Sequence, residues 1–172
     1  SNGISIGANA LALNSGTIRD AAGNNATLTH SAVSANTSYK VDTTAPTVSS
    51  VAITSATGIQ NNLLNAGDVV SVTATFNENV TVTGRPLLKT AAIGNINSSD
   101  RTAYYDSGSG DNELIFKYTL VYGFDNTQLA GISILGDSLD LNGGTIKDAA
   151  GNDATIAHST NSNTNRSNWP VK

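Results

Sequence analysis

VVSVTATF, residues Val69–Phe76, decides the fold. Val70, Val72, Ala74 and Phe76 fall on one face, and Ser71, Thr73 and Thr75 on the other. A period of two belongs to a strand with one buried face, whereas helical apolar residues recur every three or four positions. Leu114, Phe116, Tyr118 and Leu120 alternate in the same way within ELIFKYTLVY (113–122). Val51 and Ile53, Val80 and Val82, and Ile132 and Ile134 are shorter versions. No segment has a helical period, and the Ala-rich DAAGN runs directly into Gly and Asn, so it reads as a turn. Turn residues separate the strands: NAGD (65–68), SGSGDN (107–112) and the Asn-Gly pair of NGG (142–144). About seven strands at this spacing predict an all-β chain, an antiparallel immunoglobulin-like β-sandwich.

Outward from these strands, the chain repeats itself. LALNSGTIRDAAGNNATLTH (11–30) returns as LDLNGGTIKDAAGNDATIAH (139–158), and Gly16 and Gly144, like Asp20 and Asp148, stand 128 residues apart. GISIGANALAL (3–13) likewise matches GISILGDSLDL (131–141). A period that long is a whole domain, which points to a tandem array. Residues 1–42 therefore read as the C-terminal part of a preceding repeat, and 43–172 as a complete one. The boundary is VDTTAPTV (41–48), where Pro46 sets its own φ and holds Ala45 extended, as suits a short stiff link. Residues 1–42 cannot bury an apolar face alone. They must be disordered, pack on the complete domain, or complete a neighbouring copy by strand addition.

Composition excludes several chemistries. There is no cysteine among the 172 residues, so disulfides, thiolate zinc sites and Cys nucleophiles are out. A formal net charge of −4, with Lys and Arg few and scattered, argues against a nucleic-acid partner. No apolar run approaches the roughly 18 residues of a membrane span, so membrane insertion is not expected.

One constellation carries chemistry. Counting strand directions from Pro46 brings Asp42, Glu78, Asp148 and Asn152 to one pole, with Asp106 and Asp111 nearby. Carboxylates and amides without His or Cys are ligands for a hard cation, and Ca²⁺ takes six to eight such oxygens. The expectation is a Ca²⁺ site using Asp42, Glu78 and Asp148, which would tie the linker to the domain. A site at the opposite pole, through Asp68, Asp125 or Asp137, is a weaker reading. The competing local reading is that the Asp of DAAGN caps its own turn and that Glu78 is solvated. Asp20 and Asn24 repeat the turn, but their partners would precede this stretch, so Asp20 should be the poorer site.

Other features look catalytic without being so. His30 and His158 occupy equivalent repeat positions, and a residue copied with the repeat is most simply structural. No G-x-S-x-G or H-E-x-x-H pattern occurs. SGSG joins two strands, so it is a poor phosphate cradle. Tyr104, Tyr105, Tyr118 and Tyr122 fit a sandwich core better than a sugar-stacking face. The N-x-S/T sequences at Asn25, Asn36, Asn79, Asn97 and Asn165 follow from composition. Trp169 is read as a plug for the domain end.

VDTTAPTV, GDVVSVTATFNENVTVTGRPLL (67–88) and GGTIKDAAGNDA (143–154), in this order, resemble the bacterial Ig-like repeats of giant surface adhesins. The resemblance covers residues 41–158, and its tail covers 3–42. It implies a secreted or cell-surface location, an extender role without catalysis, and Ca²⁺ near domain junctions held by Asp42, Glu78 and Asp148. It also implies neighbouring repeats of the same polypeptide or fibre as partners. FDNTQ (124–128) departs from the acidic loop expected there, and NWPVK (168–172) departs from SYKVD (38–42). Two rival functions stand beside the extender: a module binding a glycan or a host or prey surface, and a fibre subunit that self-assembles by strand exchange. A spacer within a secreted enzyme is a third.

Overall fold

The computed structural model describes residues 3–61, 63–91, 101–121 and 133–159. The expectations placed on Tyr122, Asp125, FDNTQ, Trp169 and NWPVK lie outside the described residues. Among those described the chain is all-β, with ten strands: β1 (Ile4–Ile6), β2 (Val33–Asn36), β3 (Val48–Thr57), β4 (Val69–Phe76), β5 (Thr81–Thr83), β6 (Leu87–Ala91), β7 (Arg101–Ser107), β8 (Glu113–Thr119), β9 (Ser133–Asp140) and β10 (Thr145–Lys147). The chain divides into two compact units, Ser1–Thr43 and Thr44–Lys172.

In the second unit six strands form one antiparallel sheet in the order β3-β4-β8-β7-β6-β9. The sheet curls until its first and last strands, β3 and β9, approach each other. β5 and β10 pair antiparallel as a separate two-stranded sheet. The alternation read from the sequence is the reason for the curl. Val70, Val72, Ala74 and Phe76 of β4 and Leu114 and Phe116 of β8 are all buried, and cross-strand register sets Val72 opposite Phe116 and Ala74 opposite Leu114. With Val51, Val80, Leu88, Ala103, Ile134, Leu139 and Ile146 they make one core. Leu64, Val70 and Leu120 form a smaller cluster at the other end. Thr73, the polar face's most buried member, hydrogen-bonds Thr54 hydroxyl to hydroxyl at 2.9 Å.

Glycine is required where the small sheet meets the NGG turn. A Cβ on Gly144 would run into the Thr83 carbonyl oxygen, and Gly84 lies against it from the neighbouring strand. Gly143 has φ +75° and open space around it, and its counterpart Ser15 adopts φ 70°. Gly144→Ala is therefore expected to cost about 1–3 kcal/mol through forced separation of β5 and β10. Gly143→Ser should cost less. Urea midpoints of the two variants check the order.

The first unit holds one short sheet, β1 with β2, in which Ile4 pairs with Asn36 and Ile6 with Val33. The Ile4 amide also donates to the Tyr39 carbonyl at 3.1 Å. Residues 7–30 between these strands are held by turns and side-chain bonds, with Ile4, Ile6, Leu11, Leu13 and Ile18 exposed.

Candidate functional site

The pole at which the second unit begins is built by backbone pairing. The Thr155 amide donates to the Pro46 carbonyl (2.8 Å) and the Asn77 amide to the Thr47 carbonyl (3.0 Å). The Asn77 side-chain oxygen accepts from the Thr47 amide at 2.7 Å. The β7–β8 turn joins the same end, where the Phe76 amide donates to Asn112 (2.7 Å) and the Val80 amide to Asp111 (3.0 Å). The chain from Pro46, the Asn77–Asn79 turn, SGSGDN and DAAGN thus converge. Asn77 was missed as a tie by sequence reasoning. Its position directly after the Val69–Phe76 strand was the available signal.

Asp148 is the buried member of this pole, 6% exposed. Its Oδ1 accepts the Asn152 amide at 2.8 Å and its Oδ2 accepts the Asn152 side-chain nitrogen at 2.7 Å. Burial works against the charge. The bonds from the Asn152 side chain and from the amides of Asn152, Gly151 and Ala150 together outweigh it and hold the carboxyl below the ordinary aspartate value. The turn is therefore self-sufficient, as the local reading anticipated. Asn152 also donates to the Thr44 carbonyl at 3.3 Å, so its amide braces Asp148 and the entering chain.

Asp42, Glu78 and Asp148 can each offer a carboxylate oxygen with all three within 4.8 Å of one another. Asp42 lies only two residues before Thr44, and chain reach of about 3.5 Å per residue keeps it close. Asp42 is exposed, Glu78 half-buried and Asp148 buried. Three carboxylates this close could hold a hard cation. Lys147, beside Asp148, gives its ammonium to Asp153 (2.7 Å) and the Gly151 carbonyl (3.4 Å).

Asp106 and Asp111 do not join that group of oxygens. Asp106 is exposed and pairs with Lys117 across β7 and β8 at 2.8 Å. The Lys117 hydrogen bond leads the influences that hold its carboxyl below the ordinary value. Asp111 is exposed in the β7–β8 turn. At the far pole Asp68 accepts the Asn65 amide at 2.6 Å, whereas Asp137 accepts the amide of His158 at 2.8 Å, and His158 lies beside Val48–Val51 instead.

Most bonds of the DAAGN turn and its surroundings recur 128 residues earlier. Asp20 accepts the amides of Ala22 and Asn24 (both 2.9 Å) and the Asn24 side chain (2.8 Å). The Asn24 side-chain bond is the main cause that holds its carboxyl low as well. The Ala26 amide reaches Ile18 as Ala154 reaches Ile146, and Gly16 reaches Leu13 as Gly144 reaches Leu141. His30 Nε2 accepts the Ala10 amide at 2.9 Å, and His158 Nε2 accepts those of Ser138 (3.1 Å) and Leu139 (3.3 Å). The other ring nitrogen bonds the Ser31 carbonyl at 2.8 Å in one copy and the Ser159 carbonyl at 3.0 Å in the other. A carbonyl only accepts, so Nδ1 carries the proton and Nε2 the lone pair. Asn9 caps the His30 amide at 3.0 Å as Asp137 caps that of His158. Sequence reading found the histidines and missed these caps, although both stand 21 residues before their His.

Among the described tyrosines, Tyr39 and Tyr104 are exposed and the others pack inward. Tyr105 meets Phe116 edge to face at 6.0 Å and takes the Ser109 amide on its hydroxyl, Tyr118 packs on the core, and Arg85 covers the Tyr104 ring at 4.1 Å.

Acid should expose the Asp148 contribution. A carboxyl held low in the folded state adds stability above its unfolded-state value, and that stability is lost as pH falls through the folded-state value. Carboxyl-carbon NMR titration should place Asp148 and Asp20 below the ordinary 3.8. Asp148→Asn should flatten the acid limb of stability against pH.

No helix among the described residues is long and apolar enough to cross a membrane. No protein-family model, no curated protein and no solved structure matches this chain.

Proposed function

We propose that this protein is a non-catalytic extender module of a bacterial cell-surface adhesin or fibre, an Ig-like sandwich in a tandem array, stiffened by Ca²⁺ where one repeat leads into the next. The observation that carries it is the recurrence of one hydrogen-bonded framework at a spacing of 128, since an array needs a module that can be copied. The use of both imidazoles to hold backbone supports the absence of catalysis, because neither ring keeps a free nitrogen for proton transfer. The sequence resemblance to adhesin repeats supports the surface location.

Asp42, Glu78 and Asp148 hold the cation, and Asn77 and Asn152 keep the entering chain in place beside it. Three carboxylates without an ion repel, so Ca²⁺ relieves that repulsion and fastens VDTTAP to the sandwich. Its role is electrostatic and mechanical. Calorimetry on chelator-treated protein should give heat on adding Ca²⁺, with a rise in melting temperature. NMR order parameters of the Val41–Ala45 amides should rise toward about 0.85, the rigid-backbone value. Glu78→Gln should weaken both responses. No heat and no thermal shift at millimolar Ca²⁺ would remove the calcium reading.

A further inference from the structure

The two copies of the framework share most of their hydrogen bonds and differ in burial. Ile134 and Leu139 are each 4% exposed and Ile146 1%, inside the core formed with Val51, Val72, Phe76 and Leu88. Their counterparts 128 residues earlier, Ile6, Leu11 and Ile18, are 50%, 52% and 47% exposed. Leu141 is partly buried against the core, whereas Leu13 is exposed. The framework thus keeps its shape without cover, and the second unit shows what covers it: the inner faces of β3, β4, β6 and β8. β9 also pairs with β6, Leu87 opposite Asp140 and Ala91 opposite Ser133.

We infer that the exposed face bearing Ile6, Leu11, Leu13 and Ile18 is an interaction surface. Its partner is an open sandwich body: a polypeptide equivalent to residues 44–130 that lacks its own closing segment and presents the edge corresponding to Leu87–Ala91. This inference rests on the tandem-array reading and names the partner that reading requires, and it is independent of the calcium site. It rests on the register between the copies. The apolar pattern, the bend at the Asp turn and the His clamp are already those that seat on such a body in the second unit.

A second copy of this chain is the wrong partner. Its single body is already closed by Ser133–Asp140. Replacing 131–158 with 3–30 of another molecule would expose as much apolar surface as it covered, so strand exchange between identical chains gains no burial while losing translational freedom.

The test places a copy of residues 44–130 ahead of Ser1 in the full chain. Amide exchange at Ala10, Asn24 and Ala26 is compared with that in the chain as it stands. The expected result is slowing by about a hundredfold or more, as these sites move from local opening toward global unfolding. Ile18→Asp should abolish the slowing in the extended protein and leave exchange in the original chain unchanged. Equal exchange rates in the two proteins would overturn the inference. So would concentration-dependent oligomers of the original chain that protect the same amides, because they would make a second copy the partner.

Discussion

Phe116→Ala should cost the second unit about 3–5 kcal/mol, the range for emptying an aromatic site in a well-packed core. Phe116 is fully buried on β8, faces Val72 across the ladder, and stands edge to face with Tyr105. Its removal leaves a cavity between strands that are each bonded on both edges, so the sheet has little freedom to collapse into it. The melting temperature should fall on the order of 10 °C. Tyr104→Ala on the neighbouring strand is the control. That ring is exposed beneath Arg85, and an exposed cation–π contact is worth about 0.5–1 kcal/mol. Similar losses from the two variants would mean that the curled sheet has no single packed interior.

His158→Ala should be the next most damaging change, at about 2–4 kcal/mol. The amides of Ser138 and Leu139 would lose their acceptor, and a buried donor without a partner costs about 1–3 kcal/mol. The substitution also empties a site that is 8% exposed. His30→Ala removes the same type of bond from a more open copy, where water can replace the imidazole. It should cost clearly less. His158→Gln, which keeps a side-chain acceptor, should recover part of the loss. Urea unfolding of the three variants, with exchange at the Leu139 amide, measures the difference. An equal loss at both positions would mean that burial adds nothing to the clamp.

The strands were legible where one face is apolar over four alternate residues. β4 and β8 are of that kind, and their inward residues are those the alternation picked out. β5 was legible only as the short Val80–Val82 alternation, and β10 and its pairing with β5 were not, because three residues carry no period and the pairing depends on two glycines that let the backbones meet. The joining of six strands into one sheet was also hidden. Alternation says which face is buried but not which neighbour is paired, and the order β8-β7-β6-β9 is set by connections whose lengths are permissive. The pole emerged from counting strand directions, which brought Asp42, Glu78 and Asp148 within reach of one another. Counting cannot resolve side-chain register, and so Asp106 was placed with them although it faces Lys117 across the ladder. The histidines were legible as structural from their copying alone. Their acceptor role was not, since the amides they hold lie 19 and 20 residues away.

The caps at Asn9 and Asp137 use different chemistry for the same bond. An uncharged amide oxygen in one copy does what a carboxylate oxygen does in the other, at 3.0 and 2.8 Å. The clamp therefore draws on a lone pair in a fixed direction and not on net charge. Dissolved ions weaken attraction between exposed charges but leave such short, directed contacts intact. The Asn9 cap carries no charge to screen, so that clamp holds equally in dilute and in saline water.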